Sequence, residues 1–313
     1  MPSPKVSEAE FVELWQRLGS PAAVAKELGI SVRNVYDRRN RLEKKGHVLA
    51  TTSDKAKTAV KIKSFDQRRS ISVKDGTVIV FSDAHFWPGD PSIAYYALLE
   101  AIRVLKPKAI IANGDIMDAP TISRHEPRGW MKQPTVAEEV FCIQERLNEI
   151  EKAAKRCELM RTLGNHDIRF ERHLAVHAPQ YRGLAGTSLE DHIPKWPCSW
   201  TVEINGHVMV KHRHANGLHA TYNNTLRSGR TMVTGHLHAL NVRAWTDYNG
   251  TRYGVDTGTL ADPDHEAFDY REDGPADWRS GFAVLTFRKG KLLWPELVYV
   301  DGGAAYFRGE AIA

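Results

Sequence analysis

Cysteine is scarce in this chain: Cys142, Cys157 and Cys198 are the only 3 among 313 residues, and no two form a CxxC pair. That count argues against a disulfide framework or a zinc ribbon and fits a reducing compartment. No apolar run approaches the ~20 residues that cross a bilayer, so no membrane-spanning segment is expected. The opening MPSPKVSEAEF lacks the basic-then-apolar pattern of a secretory signal, and the expected location is the cytoplasm. Apolar residues are not lacking: 42% hydrophobic and 26% charged residues exclude a largely disordered or collagen-like chain.

What is abundant is histidine, with 14 residues, several of them crowded between His207 and His238. The formal charge of +5 is unevenly placed. Residues 1–63 carry 13 Lys+Arg against 7 Asp+Glu, and the remainder is almost neutral. The length fits about two domains. The sequence divides into a basic module over 1–49, a basic linker over 50–75 and a large domain over 76–313.

In the basic module, Ser7 and Glu10 have capping-box spacing, and Phe11, Leu14, Trp15 and Leu18 recur at helical intervals. Gly19-Ser20-Pro21 ends that helix. Ala22–Leu28 reads as a second helix, Gly29 as a turn, and Ser31 as the N-cap of a third helix running to about Lys45. The stretch AVAKELGISVRNVYDRRNRL resembles a helix-turn-helix, with Ala25 allowing close approach and Val35 packing beneath. Its third helix would present Arg33, Asn34, Arg38, Arg39, Arg41, Lys44 and Lys45 to DNA, through base edges or phosphates. The bland alternative is a three-helix cap with a solvated basic face.

The large domain alternates strands and helices before turning strand-rich. TVIVFSDAH ends in Asp83-Ala84-His85, AIIANGD ends in Gly114-Asp115 with Asp118 following, and ELMRTL ends in Gly164-Asn165-His166-Asp167. Helices are expected over Pro91–Val104 and Ala137–Lys155. Asn205-Gly206 marks a hairpin between Trp200–Ile204 and His207–His212, the second arm closing on His212-Arg213-His214. Thr231–Thr234 leads into Gly235-His236-Leu237-His238. Further strands are expected near Val242–Thr246, Arg252–Asp256, Gly281–Phe287 and Leu292–Val300. Polar groups at strand C-termini are where α/β sheets place their sites.

The ordered series DxH, GDxxD, GNHD, a strand-terminal His and GHxH resembles the calcineurin-like metallophosphoesterase superfamily, in a branch that includes DNA repair exonucleases. The likeness spans roughly residues 76–240. It implies an α/β fold in which a mixed β-sandwich is flanked by helices. It also implies two divalent cations, Mn²⁺ foremost with Fe or Zn²⁺ as alternatives. One cation would take Asp83, His85, Asp115 and His238; the other would take Asp115, Asn165, His212 and His236, with Asp115 as the bridge. A hydroxide between the metals would attack phosphorus in line with the leaving oxygen. His166 would meet the phosphoryl group or protonate the leaving oxygen, with Asp118 orienting it. Glycines 114, 164 and 235 would let the backbone turn at the strand ends.

Two departures from the family pattern matter. The fourth segment is His212-Arg213-His214 where the family has His-Gly, so His214 competes with His212 as ligand. GDxxD is followed by Ala119-Pro120, which removes the arginine of the protein Ser/Thr phosphatases. Arg169, Arg172 and Arg124 are replacements, each read first as a solvated surface residue. Trp196, Trp200 and Trp245 are expected in cores, and the acidic run Asp262–Asp277 as a loop at the rim of the site.

The function these signals suggest is a two-metal phosphodiesterase, a nuclease acting on DNA. A phosphomonoesterase or cyclic-nucleotide phosphodiesterase with an accessory helical module is the second reading. A DNA-binding regulator built on a metal-binding scaffold is the third. Nucleic acid, foremost DNA, is the expected partner; the sequence does not fix the oligomeric state, a homodimer being one option.

Overall fold

The computed structural model describes residues 6–49, 51, 65–125, 129, 132–271 and 276–313. The chain divides into two compact units, Met1–Lys63 and Ser64–Ala313.

The smaller unit holds α1 (Glu8–Leu18), α2 (Pro21–Leu28) and α3 (Val32–Lys44). Ser7 and Glu10 close the capping box at the start of α1. Such a cap contributes about 1 kcal/mol by satisfying amide donors that the first turn leaves open. Gly19 and Gly29 end α1 and α2 in the left-handed region, which costs glycine nothing. Phe11, Trp15, Val24, Ala25, Val35, Leu42 and Leu49 form the core of this unit. It is a separate hydrophobic cluster, as the helical spacing of those residues requires.

The larger unit runs through β1 (Arg69–Ile71), β2 (Gly76–Phe81), α4 (Ile93–Leu105), β3 (Ala109–Asn113), α5 (Val136–Ala153), β4 (Glu158–Thr162), α6 (Asp167–His177) and α7 (Leu189–His192). It continues through β5 (Cys198–Ser199), β6 (Val202–Ile204), β7 (Val208–Val210), α8 (Ala220–Ser228), β8 (Thr231–Thr234), β9 (Asn241–Asp247) and β10 (Gly250–Asp256). It closes with β11 (Gly281–Arg288), β12 (Lys291–Leu292), β13 (Glu296–Asp301), β14 (Ala304–Phe307) and β15 (Glu310–Ala311).

These strands build two mixed sheets within a mixed α/β unit. The 9-stranded sheet is ordered β15-β14-β13-β11-β2-β3-β4-β5, with β12 on β11; the 6-stranded sheet is ordered β1-β6-β7-β8-β10-β9. Strand alternation assigns the layers. Ile79, Phe81, Ile110 and Ala112 face α4 and α5, in one core with Leu98, Ile102, Ile143 and Leu147. Val78, Val80, Ala109 and Ile111 face the other way, in a second core with Val202, Val210, Val233 and Val255 of the smaller sheet.

Parallel pairing of β2 with β3 and of β3 with β4 aligns their C-terminal ends along one edge. Parallel pairing of β7 with β8 and of β8 with β10 does the same in the other sheet. The hairpin at Asn205-Gly206 forms as expected, with both residues at positive φ (52° and 74°), the requirement of a type I′ turn.

The expected linker needs correction. Residues 50 and 52–64 lie outside the described residues, but Arg69–Ile71 is a strand, parallel to Val202–Ile204. Its 3-residue length leaves too little alternation to be read from a basic sequence. The second hairpin arm also ends earlier than expected, at Val210. Its hydrogen bonding continues: Lys211 N donates to Val233 O, and Gly235 N donates to His212 O.

Candidate metal centre

Five loops meet where the two aligned edges face each other. The loop after β2 runs beside that after β3, through Asp83 N to Gly114 O and His85 N to Asp115 O, each 3.0 Å. Asp83, His85, Asp115, His236 and His238 all have positive φ, between 39° and 73°. That region costs a non-glycine residue about 1 kcal/mol or more and is held only where surroundings dictate it. The tight loops turn each side chain inward from a strand end.

Three groups of ligand atoms result, each with its atoms within 4.8 Å of one another: Asp83, His85 and His238; Asp115, His212 and His236; and His85, Asp118 and His166. The first two groups adjoin, since His212 Nε2 is 3.1 Å from Asp115 Oδ2 and 4.0 Å from Asp83 Oδ1. His238 Nε2 is 3.1 Å from Asp83 Oδ1. Among the described residues, Asp83 Oδ1 and His212 Nε2 have only the ion-pair contacts just given, and His85 Nε2 and Asn165 Oδ1 are buried without any hydrogen-bond partner. Each such atom costs about 1–3 kcal/mol unless something satisfies it. Carboxylate, imidazole and amide donors at this spacing suit divalent cations.

Further hydrogen bonds orient the rings. His212 Nδ1 faces the Asn113 carbonyl at 2.8 Å, and His85 Nδ1 faces Asp118 Oδ1 at 3.1 Å, so each ring turns Nε2 inward. This is the arrangement in which a second partner fixes a metal-binding imidazole. Of the two competing histidines, His212 is buried within the cluster, whereas His214 is exposed.

Electrostatics follow from this packing. Burial alone would raise the Asp115 carboxyl, but His212, His166 and His85 hold it well below the usual carboxylate range. Burial opposes charge on His212, yet Asp115 and Asp83 bring it up to about 10. Burial and the neighbouring His212 charge lower His236.

His166 and Asp118 are also brought together. His166 Nδ1 is 3.0 Å from Asp118 Oδ1 and 2.9 Å from the Asp118 carbonyl. The backbone N–H of His166 donates to Asp115 Oδ1 at 2.8 Å. Burial lowers His166, but Asp118 and Asp115 outweigh it and the net direction is up. Against that pull, Arg169 Nη2 lies 3.1 Å from His166 Nε2. A guanidinium only donates, so in the neutral ring this contact makes Nε2 the acceptor and places the proton on Nδ1.

The glycines correct one expectation. Gly114 does have positive φ (80°), but Gly164 and Gly235 do not. Their constraint is space: a Cβ on Gly164 would lie 2.0 Å from Asp115 Oδ1, and one on Gly235 would lie 2.3 Å from Ser82 Oγ.

Three supporting carboxyls were given no role by the motifs, although Asp167 closes GNHD. Asp167 Oδ2 accepts the N–H groups of Asp115 and Gly164, and its Oδ1 accepts those of Ile116 and Met117. Glu139 Oε1 accepts those of Asp118 and Ala119, and burial brings it up to about 7. Asp256 Oδ1 accepts those of Ala239 and Gly258, and burial brings it up to about 8. The acidic run and the Trp278 that follows it supply a hydrophobic side to the site. Phe268 packs on His85 (ring centroids 5.3 Å apart), and Trp278 packs on His238 (4.3 Å). Residues 272–275 of that run lie outside the described residues. Trp196 is buried against Phe81, as expected of a core residue.

The basic helix α3 is less free than its sequence suggests. Arg38 donates to the carbonyls of Val6 and Ser7 and lies over the Phe11 ring. Arg39 pairs with Glu43 and lies over Trp15, and Lys45 pairs with Glu8. Those residues bind α3 to α1 or to itself. Arg33, Asn34, Arg41 and Lys44 are exposed.

No model of a protein family matches the chain, and no curated protein matches it. No helix among the described residues is long and apolar enough to cross a membrane.

Proposed function

We propose that the larger unit is a two-metal phosphodiesterase of the calcineurin-like metallophosphoesterase type, and that the chain is a nuclease acting on DNA. One observation carries the reading. Asp83, His85 and His238, and Asp115, His212 and His236, form adjoining ligand groups, with buried ligand atoms that hydrogen bonding leaves unsatisfied. Asp83, His85, Asp115 and His238 would hold one cation; Asp115, Asn165, His212 and His236 would hold the other. Bound divalent cations supply Lewis acidity, lower the pKa of water and neutralise phosphate charge. The chain's own part is to hold Asp115 between the groups through the Asp167 hydrogen bonds and to aim His166 through Asp118. His166 is the residue that meets the phosphoryl group or the leaving oxygen.

The smaller unit, as a helix-turn-helix, would bring the enzyme to DNA through Arg33, Asn34, Arg41 and Lys44. The internal ties of Arg38, Arg39 and Lys45 favour a second reading. In it the small unit serves assembly, and the substrate is a phosphomonoester or cyclic nucleotide.

The deciding experiment assays purified protein with Mn²⁺ on single- and double-stranded DNA, RNA, a generic phosphodiester and a generic monoester. Cleavage of DNA and of the diester supports the nuclease. Inertness toward every nucleic acid, with brisk monoester cleavage, moves the assignment to the second reading.

A further inference from the structure

We infer that Arg169 is the arginine that binds the substrate's phosphate, an inference that rests on the phosphoesterase reading above. Arg169 stands in the first turn of α6, directly after the loop carrying Asn165 and His166. It is partly buried, not the solvated surface residue that its sequence context suggests. Its Nη1 donates to the Asp118 carbonyl at 2.8 Å and its Nη2 to His166 Nε2 at 3.1 Å. His166 Nε2 is itself 4.0 Å from Asp115 Oδ2, so the guanidinium borders the ligand cluster.

Two features distinguish Arg169 from a structural brace. A guanidinium carries five N–H donors in a rigid fork, and these two contacts use only part of it. Both contacts are also to neutral acceptors: among the described residues no carboxylate lies within ion-pair reach of Arg169. A permanently charged group without a counter-anion is costly as it leaves water, and buried charges are normally paired. An anion arriving at the cluster would complete the pairing, and phosphate oxygens match the fork bidentately. No arginine follows GDxxD, where the chain has Ala119-Pro120. Arg169 would reach the same phosphate from the GNHD side.

The test uses inorganic phosphate as probe, titrated calorimetrically into full-length Mn²⁺-loaded protein, with Mn²⁺ affinity measured separately. Arg169→Met should weaken phosphate binding by about 10- to 100-fold, the range of a lost charge-assisted pair, with Mn²⁺ affinity unchanged. Arg169→Lys, which keeps the charge without the fork, should fall between and raise KM more than it lowers kcat. Phosphate binding by Arg169→Met equal to that of the wild type would overturn the inference. So would a parallel loss of Mn²⁺, which would make Arg169 a brace for the Asp118 loop. Should Arg169→Met not fold, Arg169→Lys decides by the same two affinities. If the wild-type protein neither binds phosphate nor cleaves any phosphoester, the phosphoesterase reading itself has failed. If the wild type does both and the variants match it, only the assignment of Arg169 falls.

Discussion

Asp118 Oδ1 lies 3.0 Å from Nδ1 of His166. The same oxygen lies 3.1 Å from Nδ1 of His85, so one carboxylate orients both a candidate metal ligand and the candidate catalytic histidine. The two histidines should respond differently to substitution. His166→Asn should lower turnover by about 10²–10⁴-fold, the range of a general acid or base, while Mn²⁺ stays bound. Asp118→Asn should lower turnover and also weaken Mn²⁺ binding by about 10-fold or more, through His85. Calorimetric Mn²⁺ titration beside steady-state kinetics separates them, and metal loss in His166→Asn would make His166 a ligand.

Metal binding should release protons. Asp115 and Asp83 bring His212 up to about 10, and a ligand nitrogen must shed its proton before it can coordinate. Apparent Mn²⁺ affinity should therefore rise with pH between 6 and 9, with proton uptake by the buffer seen in calorimetry. Affinity flat across that range would contradict the assignment of His212 as a ligand.

The pH dependence of stability has a separate source in Asp256. Burial brings this carboxyl from 3.8 to about 8. Between those values the folded chain binds the proton more tightly than the unfolded one, so stability falls as pH rises through the window and levels off above it. Asp256→Asn removes the titration while keeping an acceptor for Ala239 and Gly258. It should gain stability over wild type progressively from pH 5 to 8, by on the order of a few kcal/mol. Urea denaturation across that range reads the difference, and a constant difference would show that Asp256 does not titrate there.

Close approach at Gly164 predicts a steric phenotype. Gly164→Ala would set its Cβ 2.0 Å from Asp115 Oδ1, displacing the carboxylate proposed to bridge the metals. Loss of Mn²⁺ binding and a drop of about 2–4 kcal/mol in stability are expected. Gly206→Ala, in an open turn, should leave Mn²⁺ binding intact. Unchanged Mn²⁺ affinity in Gly164→Ala would show that the loop relaxes freely.

Within α3, the prediction separates structure from contact. Arg38→Met should lower the stability of the small unit, because it removes the tie to Val6 and Ser7. Arg33→Ala and Arg41→Ala should leave stability alone. Each should reduce the salt slope of DNA affinity by about 0.9 if it contacts a phosphate. Identical slopes in all variants would favour the assembly role.

Most of the candidate site was legible because its parts are local: each candidate ligand pair lies within a few residues of a hydrophobic strand that is easy to recognise. The N-caps at Ser7 and Ser31, the Asn205-Gly206 turn and Thr231–Thr234 were legible for the same reason. Long-range relations were not. Nothing near Asp256 or Glu139 indicates that they accept backbone N–H groups from other loops. The inward turn of Arg38 depends on α1, more than twenty residues away. Gly164 and Gly235 looked like turns and are instead points of close approach. Strands β1 and β5, of 3 and 2 residues, are too short to show periodicity.

Mn²⁺ stoichiometry and phosphodiester cleavage, measured on the same preparations of wild-type and Asp115→Asn protein, test the central claim most directly. The wild type should bind two Mn²⁺ per chain and hydrolyse bis(4-nitrophenyl) phosphate, and Asp115→Asn should lose both properties together. A wild type that binds no Mn²⁺, or an Asp115→Asn protein that keeps full stoichiometry and activity, would contradict a paired metal centre bridged by Asp115.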